Sequence, residues 1–536
     1  MAAHDEKTAV TVSTAPTAAA LDIEHATVID DPRAWSNARK LVVLATVSTA
    51  SMIAGLGANI YNPSISQIEE QLHASSGEIA LSLSLFIVLQ GAIPLLWSAL
   101  SEFWGRKKVY LLSTLLAMVG CIVGANSKTI GVLIGMRCFQ AVGSSAVIAL
   151  GAATLADIYD PVQRGTMMGV YYSAPLLGPS LGPILGGVLT QAFSWRATFW
   201  FLGVFVFLCF LSFIPFKDTF RRERSLTYQA ALRRRRALLS TKGSEVSSLS
   251  QVTAVSRVVP TPIPTIGSAT DEAPDAIAEI ARGIDVEKQQ HVPSPTITPP
   301  LDNIKLSLAD VNPVKPVLLV LRRLNNLTIL TASGLIFGLS YSISYTCSRT
   351  LANKYGYNAL QIGLVLLPFG VGSLVGSVVG GRYSDRVLRK LKAENGGTSN
   401  AEMRLASTLI FMPFLPLSVI AYGWVCEQHV HVAAICVFLF LSGLFSIAMY
   451  TSTLAYIVDA NTGRSSSAVA VNSFFRGLAA FVATEVAVPL QNAIGDGGLY
   501  SLWAGLMILS DVFLLLVWWK GGVWRGKWEL KERSKT

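Results

Sequence analysis

Four ionisable side chains sit inside stretches otherwise apolar enough to cross a lipid bilayer: Arg137, in the string RCFQAVGSS, Arg476 and Glu485 in a later stretch, and Asp511 in the last one. Charges at such depth are costly to keep and default to a functional role. A carboxyl out of water favours its protonated form, so Glu485 is a candidate to take up and release a proton. Arg137 does not titrate near neutrality; it can perturb a nearby acid, hold an anionic group, or satisfy helix carbonyls as a buried cation. At about 100° per residue, Arg476 and Glu485 fall on opposite faces of one helix and cannot pair with each other. Phe337, Tyr341 and Tyr345 recur at intervals of four. That stripe, with hydroxyls along it, suits either ordinary packing or the wall of a site for bulky organic molecules.

The elements that must position these residues are membrane spans. A chain of 536 residues that is 51% hydrophobic and only 14% charged, with a mean hydropathy of +0.49, is too apolar to be a soluble protein of several domains. At about 20 apolar residues per crossing, spans are expected near 41–63, 79–100, 109–125, 130–156, 166–190 and 197–216. Six more follow near 327–348, 360–381, 404–425, 432–457, 468–491 and 499–520. The chain divides into an N-terminal tail (1–40), a first six-helix bundle (41–216), a central loop (217–325), a second six-helix bundle (326–521) and a basic tail (522–536). The tail 1–40 is polar without an apolar core, so span 1 should act as an uncleaved anchor. The loop carries SEVSSLSQ, PTPIPT and PSPTITPP, a composition too poor in apolar residues to fold alone.

The net charge of +10 invites a nucleic-acid partner, but its placement argues for a bilayer instead. Arg106, Lys107 and Lys108 follow span 2, Arg233 to Arg236 follow span 6, and Arg382, Arg386, Arg389 and Lys390 follow span 8. By the positive-inside rule both termini and the central loop are cytoplasmic. The six cysteines lie mostly within spans, without metal-ligand spacing, and read as small hydrophobes; no metal site is expected. His429 and His431 share a short outer loop and read as solvated. The sequon Asn326-Leu327-Thr328 falls at the cytoplasmic edge of span 7, where it should stay unmodified.

Span 5 reads GVYYSAPLLGPSLGPILGG, with Gly169, Gly178, Pro179, Gly182, Pro183, Gly186 and Gly187 in an otherwise apolar run. In a membrane such residues let two backbones approach closely and permit a bend. The two halves also share a grammar. Ser101-Glu102 and Ser384-Asp385 end spans 2 and 8; Asp157 ahead of Arg164 and Asp459 ahead of Arg464 end spans 4 and 10. Acids and cations so placed make either a latch between two conformations or static pairs that anchor loops, each worth about 1 kcal/mol where solvent reaches it.

Span 5 resembles the antiporter signature of drug exporters of the major facilitator superfamily. The loop after span 2 is similar to that superfamily's Gly-x-x-x-Asp-Arg-x-Gly-Arg-Arg/Lys string. Gly105, Arg106 and Lys107 fit it, while Ser98, Glu102 and Phe103 depart from it. In span 4, Arg137, Gln140 and Gly143 match an Arg-x-x-Gln-Gly-x-Gly signature whose arginine is associated with proton coupling. The strings AATLADIYDPVQRGTMMG, SWRATFWFLG and IVDANTGRSSSAVAVNSFFRG look like the fungal twelve-helix drug:proton antiporters of the quinidine-resistance and dityrosine-exporter branch.

The resemblance implies an all-α membrane protein of twelve transmembrane helices in two six-helix bundles. Spans 1, 4, 7 and 10 would line a central cavity whose candidates are Asn59, Tyr61, Arg137, Gln140, Phe337, Tyr341, Tyr345 and Tyr450, with Gln90 from span 2. It implies export of drugs, polyamines, weak acids or a cell-wall precursor across the plasma membrane or an internal one, driven by the proton gradient without a cofactor, by a monomer. Arg137 and Glu485 are the candidates for proton coupling. Two other readings stand beside it: export of an organic anion held by Arg137 or Arg476, and a non-transporting sensor that signals through its central loop. An enzyme is not expected, since the chain has no phosphate-binding Gly-Lys-Ser/Thr loop and no clustered nucleophile and base.

Overall fold

The computed structural model describes residues 30–159, 161–221, 228, 314–398, 400–461 and 465–533, apart from the side chains of 161–166, 169, 176, 314–316, 465, 466, 532 and 533. Most of the expected tail 1–40 and loop 217–325 lies outside the described residues, as do Arg464, the side chain of Arg164 and the surroundings of Gly169. The described residues between 30 and 221 and between 314 and 533 form one compact body. Among the described residues the regular structure is helical, with no strand.

The first half runs through α1 (Asn37–Asn59), α2 (Ile65–Leu72), α3 (Ser76–Ala92), α4 (Pro94–Trp104), α5 (Arg106–Ala125), α6 (Ile130–Ile158), α7 (Pro161–Leu176), α8 (Gly178–Ala192) and α9 (Trp195–Phe213). A capping box starts α3: Ser75 and Glu78 satisfy each other's backbone N–H groups. Expected span 2 is bent by 42° between α3 and α4, where Pro94 has no N–H to continue the ladder. Span 5 likewise breaks at Leu177, between Pro175 and Pro179, into α7 and α8.

The second half comprises α10 (Val314–Leu321), α11 (Leu324–Asn353), α12 (Ala359–Glu394), α13 (Phe414–Glu427), α14 (Val432–Ala460) and α15 (Ser465–Arg533). A second capping box, Asn358 with Gln361, starts α12. Span 9 opens as a 3-10 helix, Ala401–Thr408, before α13. One continuous helical assignment, α15, carries both spans 11 and 12. It turns at Gly495, whose φ of +70° suits a residue without a side chain. Helix α10 lies inside the expected central loop, and α15 continues through most of the expected basic tail.

Among the described residues, eight helical stretches, or nine with the bent α3–α4 pair, are long and apolar enough to cross a bilayer. The α7–α8 pair, α13 with its 3-10 lead-in and the second limb of α15 supply a segment for each remaining expected crossing. Large apolar side chains such as Phe207 and Leu208 on α9, Val437 on α14 and Val482 on α15 are exposed, as lipid-facing positions should be. Each half has its own core, built around Tyr110, Leu150 and Phe213 in the first and Ile343, Leu439 and Tyr456 in the second. A third, smaller cluster joins them: Ala58, Phe86, Ile87, Ala141 and Ala480, with Phe337 and Tyr341 packed against it.

Candidate functional site

Helix α8 is the hinge post of the site, because its small residues face two ways. Gly178, Gly182 and Gly186, spaced by four, lie on α1: a Cβ on Gly182 would stand 2.8 Å from that of Asn59, and one on Gly186 would strike the Ile60 carbonyl. Another face meets α12 of the other half. There Gly187 approaches Ala359, whose carbonyl oxygen would be 2.6 Å from an added Cβ, while Pro183 and Ser180 fit against Gly363 and Gly370. The small-residue signature thus serves one contact within its half and one across the halves. The second inter-half seam runs along α3 and α15, where Gly91 would bring a Cβ within 2.6 Å of the Ser473 carbonyl. On this seam the Ser84 hydroxyl donates to Glu485 Oε1 at 2.5 Å.

Between the seams lie the two arginines. Arg137, on α6, is 1% exposed. It donates to the Gly57 carbonyl (2.6 Å) and to Gln140 Oε1 (3.1 Å), and its guanidinium sits over Phe86 (4.1 Å) and Tyr61 (4.8 Å). Its Nε and Nη2 are buried and have no hydrogen-bond partner. Arg476, on the first limb of α15, donates to the Tyr450 hydroxyl (2.6 Å) and lies over the rings of Phe337 (3.8 Å) and Tyr450 (4.4 Å). Phe337 in turn packs on Tyr341 with 4.9 Å between ring centres. The expected separation of Arg476 from Glu485 holds, since each is bonded to a different helix.

Burial divides the expected cavity residues into two groups. Gln90, Phe337, Tyr341, Tyr450 and Arg476 are partly exposed; Asn59, Tyr61, Arg137, Gln140 and Tyr345 are sealed. The sealed group lies toward the α2 end of the body, where the halves are tied directly. Arg349 of α11 pairs with Glu69 of α2 (3.1 Å) and donates to the Ser76 hydroxyl (2.7 Å), while the Tyr345 hydroxyl donates to the Ser76 carbonyl (3.0 Å). Tyr345 therefore belongs to this closure and not to an open wall. The Asn59 amide is spent on its own helix, donating to the Gly55 carbonyl (2.8 Å). The Gln90 amide reaches the Ala54 carbonyl on α1.

The expected latch residues are paired differently from their order in the chain. Asp157 meets Arg106 (3.3 Å), whose guanidinium also donates to Ser101 and whose backbone N–H donates to Asp218 (3.1 Å). Gly105, at φ +83°, leaves room for Asp218 against the backbone. Glu102 does not take part; its Oε2 is buried without a partner. In the second half Asp459 and Asp385 share Arg404 (2.6 and 3.0 Å), and Arg386 is exposed. Both clusters lie inside one half, so in this conformation they brace each bundle and do not latch the two together. Arg404, Arg349 and Ser84 escaped sequence reasoning. Arg404 had a signal, since it opens span 9 as Arg106 opens span 3.

The remaining chemistry is structural. All six cysteines are free, Cys426 and Cys436 included, and among the described residues no cluster suits a metal ion. Asn326 of the sequon is buried, its amide spent on Val320 and Asn461. His431 caps α14 and His429 stacks on Tyr355.

Two halves packed along α8–α12 and α3–α15 around a central aromatic and arginine-bearing seam are the architecture of a known transporter fold. The structure of a D-xylose-proton symporter matches 89% of this chain and 97% of its own with a TM-score of 0.57 at 10% identity. Among curated proteins, the MFS antiporter QDR3 of Candida albicans is 27% identical over 94% of this chain and 81% of its own length. The Dityrosine transporter 1 of Saccharomyces cerevisiae is 26% identical over 90% of this chain and 79% of its own. The sequence model of the Major Facilitator Superfamily matches residues 47–484. The chain belongs to the Major Facilitator Superfamily, with relatives in its fungal drug-antiporter and dityrosine-transporter branch, and is a membrane transporter rather than an enzyme.

Proposed function

We propose that the chain exports small amphipathic organic compounds by proton antiport with alternating access, as a monomer in the plasma membrane. The observation that carries this reading is the gradient of burial along the central seam. Aromatic and polar groups are partly exposed toward the end that bears the start of α1 and the Arg106 and Arg404 clusters, and sealed toward the end closed by Arg349, Glu69 and Ser76. With the termini cytoplasmic, a compound enters from the cytoplasm, seats on Phe337, Tyr341 and Tyr450, and leaves when the outer closure parts and the inner end shuts. Rings and hydroxyls suit drug-like or natural-product cargo through stacking and a few hydrogen bonds.

Glu485 is the proton carrier in this scheme. It bridges the halves through Ser84, so the state of its carboxyl bears on a contact that rocking must make and break. Arg137 cannot carry the proton, and acts by its fixed charge.

The test is efflux from sealed vesicles containing the purified full-length protein, loaded with a panel of aromatic compounds and with polyamines, with and without an imposed pH gradient. Gradient-dependent efflux that Glu485→Gln uncouples is the expected outcome. Efflux indifferent to the gradient overturns the antiport, leaving a facilitator; no efflux of any compound overturns the exporter reading.

A further inference from the structure

We infer that Arg476 and Arg137 form a two-point anion cradle, one guanidinium from each half, and that the cargo class is the aromatic organic acids. This deepens the exporter reading and rests on it. Three observations carry it. First, neither guanidinium is paired with a carboxylate among the described residues: Arg476 is satisfied by the Tyr450 hydroxyl, and Arg137 by the Gly57 carbonyl and the Gln140 amide oxygen. A cation inside a membrane protein without a counter-ion leaves most of its desolvation cost unmet. Rings above and below offset a part of it, but offer no acceptor for the N–H groups.

Second, donors are left over at both arginines. Nε and Nη2 of Arg137 and Nε of Arg476 are buried with no partner. A guanidinium presents its N–H groups as a planar fork, which a carboxylate fits with two parallel hydrogen bonds. Third, the surfaces beside these donors are aromatic and continuous. Arg476 lies on Phe337, Phe337 on Tyr341, and both Phe337 and Tyr341 pack against the cluster that contains Phe86, which lies beneath Arg137.

The partly exposed Arg476 receives the carboxylate first, with the ring of the acid on Phe337 and Tyr341. Arg137 waits at the sealed end for an acceptor carried on the far side of the molecule. The carboxylate on the same helix as Arg476, Glu485, is engaged by Ser84. A cationic drug or a polyamine would have to lie beside two fixed positive charges, and is disfavoured.

The test compares three molecules that share one ring system with a group at each end: naphthalene-2,6-dicarboxylate, its neutral diamide, and the dication 2,6-bis(aminomethyl)naphthalene. Equilibrium binding to the purified full-length protein is expected to favour the acid over the amide by about tenfold or more, as charge-assisted bonds are roughly twice as strong as neutral ones, and to place the cation last. Arg476→Gln removes most of the acid's advantage over the amide, Arg137 supplying what remains, and leaves the amide unchanged. Arg476→Lys, which keeps the charge and loses the fork, gives an intermediate loss, and should fold even if the Gln variant does not.

Equal affinities for acid and amide, or tightest binding of the cation, overturn the cradle. Efflux separates this from the broader reading. Vesicles that export the amide without preferring the acid keep the exporter and discard the cradle. Arg476-dependent acid binding with no efflux of any of the three keeps the cradle and discards export.

Discussion

Arg106 and Arg349 are both arginines paired with a carboxylate near a helix end, and they do opposite work. Arg106 ties together parts of one half: Asp157 at the end of α6, Ser101 at the end of α4 and Asp218 beyond α9. Arg349 reaches from the second half to Glu69 and Ser76 in the first. The first contact persists while each bundle moves as a body, whereas the second must break for the sealed end to open. The Arg106 side chain is 10% exposed and that of Asp157 21%. The pseudo-equivalent Arg404 is 20% exposed and gathers two carboxylates that are 39% and 63% exposed. Burial of the brace in the first half and its exposure in the second should make the two unequal in energy although they are alike in layout.

Arg106→Ala should have the largest effect. It leaves the largely buried Asp157 without its cation, which costs about 3 kcal/mol or more. The unfolding midpoint of the purified protein in detergent should fall steeply, with no change in which end of the body is accessible. Arg404→Ala removes a pairing that solvent screens, worth about 1 kcal/mol. Equal losses in the two variants would break the distinction between a buried and an exposed brace.

The inter-half contacts should respond differently. Gly187→Leu forces α8 away from Ala359, and Arg349→Ala removes the tie to Glu69; both should spare much of the fold and shift the balance toward an open outer end. For Arg349→Ala the expected shift is about 1 kcal/mol, roughly fivefold in population. The measurement is the rate at which a cysteine placed at Asn59, buried in the sealed group, reacts with a membrane-impermeant thiol reagent from outside. Gly186→Leu, one residue away but facing α1 within the same half, should damage folding instead. If Gly186 and Gly187 variants behave alike, the two faces of α8 are not separate.

Local chemistry explains which of these features could be read from the chain. The small-residue run of span 5 was legible because only small side chains permit such backbone approach, and Arg137 and Gln140 were legible through the signature they match, the structure adding that these positions, three apart, meet on the helix. The stripe Phe337–Tyr341 was legible for the same reason, and those two rings are in contact. Tyr345, in the same stripe, was misplaced because its surroundings come from Ser76, far away in the chain. The pairings Arg349–Glu69 and Ser84–Glu485 leave no mark on local spacing, since each joins residues of different halves. The partners of the latch candidates could not be named for a related reason: each acid meets a cation from another stretch of its half, Asp157 meeting Arg106 and Asp459 meeting Arg404. Comparing the halves position by position would have exposed Arg404, because its role follows from that of Arg106.

The smallest effect expected sharpens the same contrast within one helix. Lys354 follows Arg349 by five residues at the end of α11, but its ammonium stays within the second half, against Asp496 (3.1 Å) and Glu427 (3.2 Å). These hold the Gly495 turn: Glu427 accepts from the Asp496 backbone N–H at 2.8 Å. Burial works against the charge on Lys354, yet the carboxylates of Asp496 and Glu427 outweigh it and raise its pKa above the ordinary 10.5. The folded state therefore holds this proton more tightly than the unfolded chain does, so the stabilisation is complete below pH 10.5 and is lost as pH rises through the folded value. Asp496 is buried, but it also accepts from Thr350 and Gln491, and Lys354 is a third exposed, so the contribution stays at about 1 kcal/mol. The unfolding midpoint should decline above pH 10.5 more steeply in the parent protein than in Lys354→Met, while thiol access at position 59 stays unchanged in the variant. Parallel pH profiles would mean that the pairings of Lys354 contribute nothing measurable. A change in thiol access would mean that a contact inside one half governs the opening between halves, and the division drawn from Arg106 and Arg349 would fail.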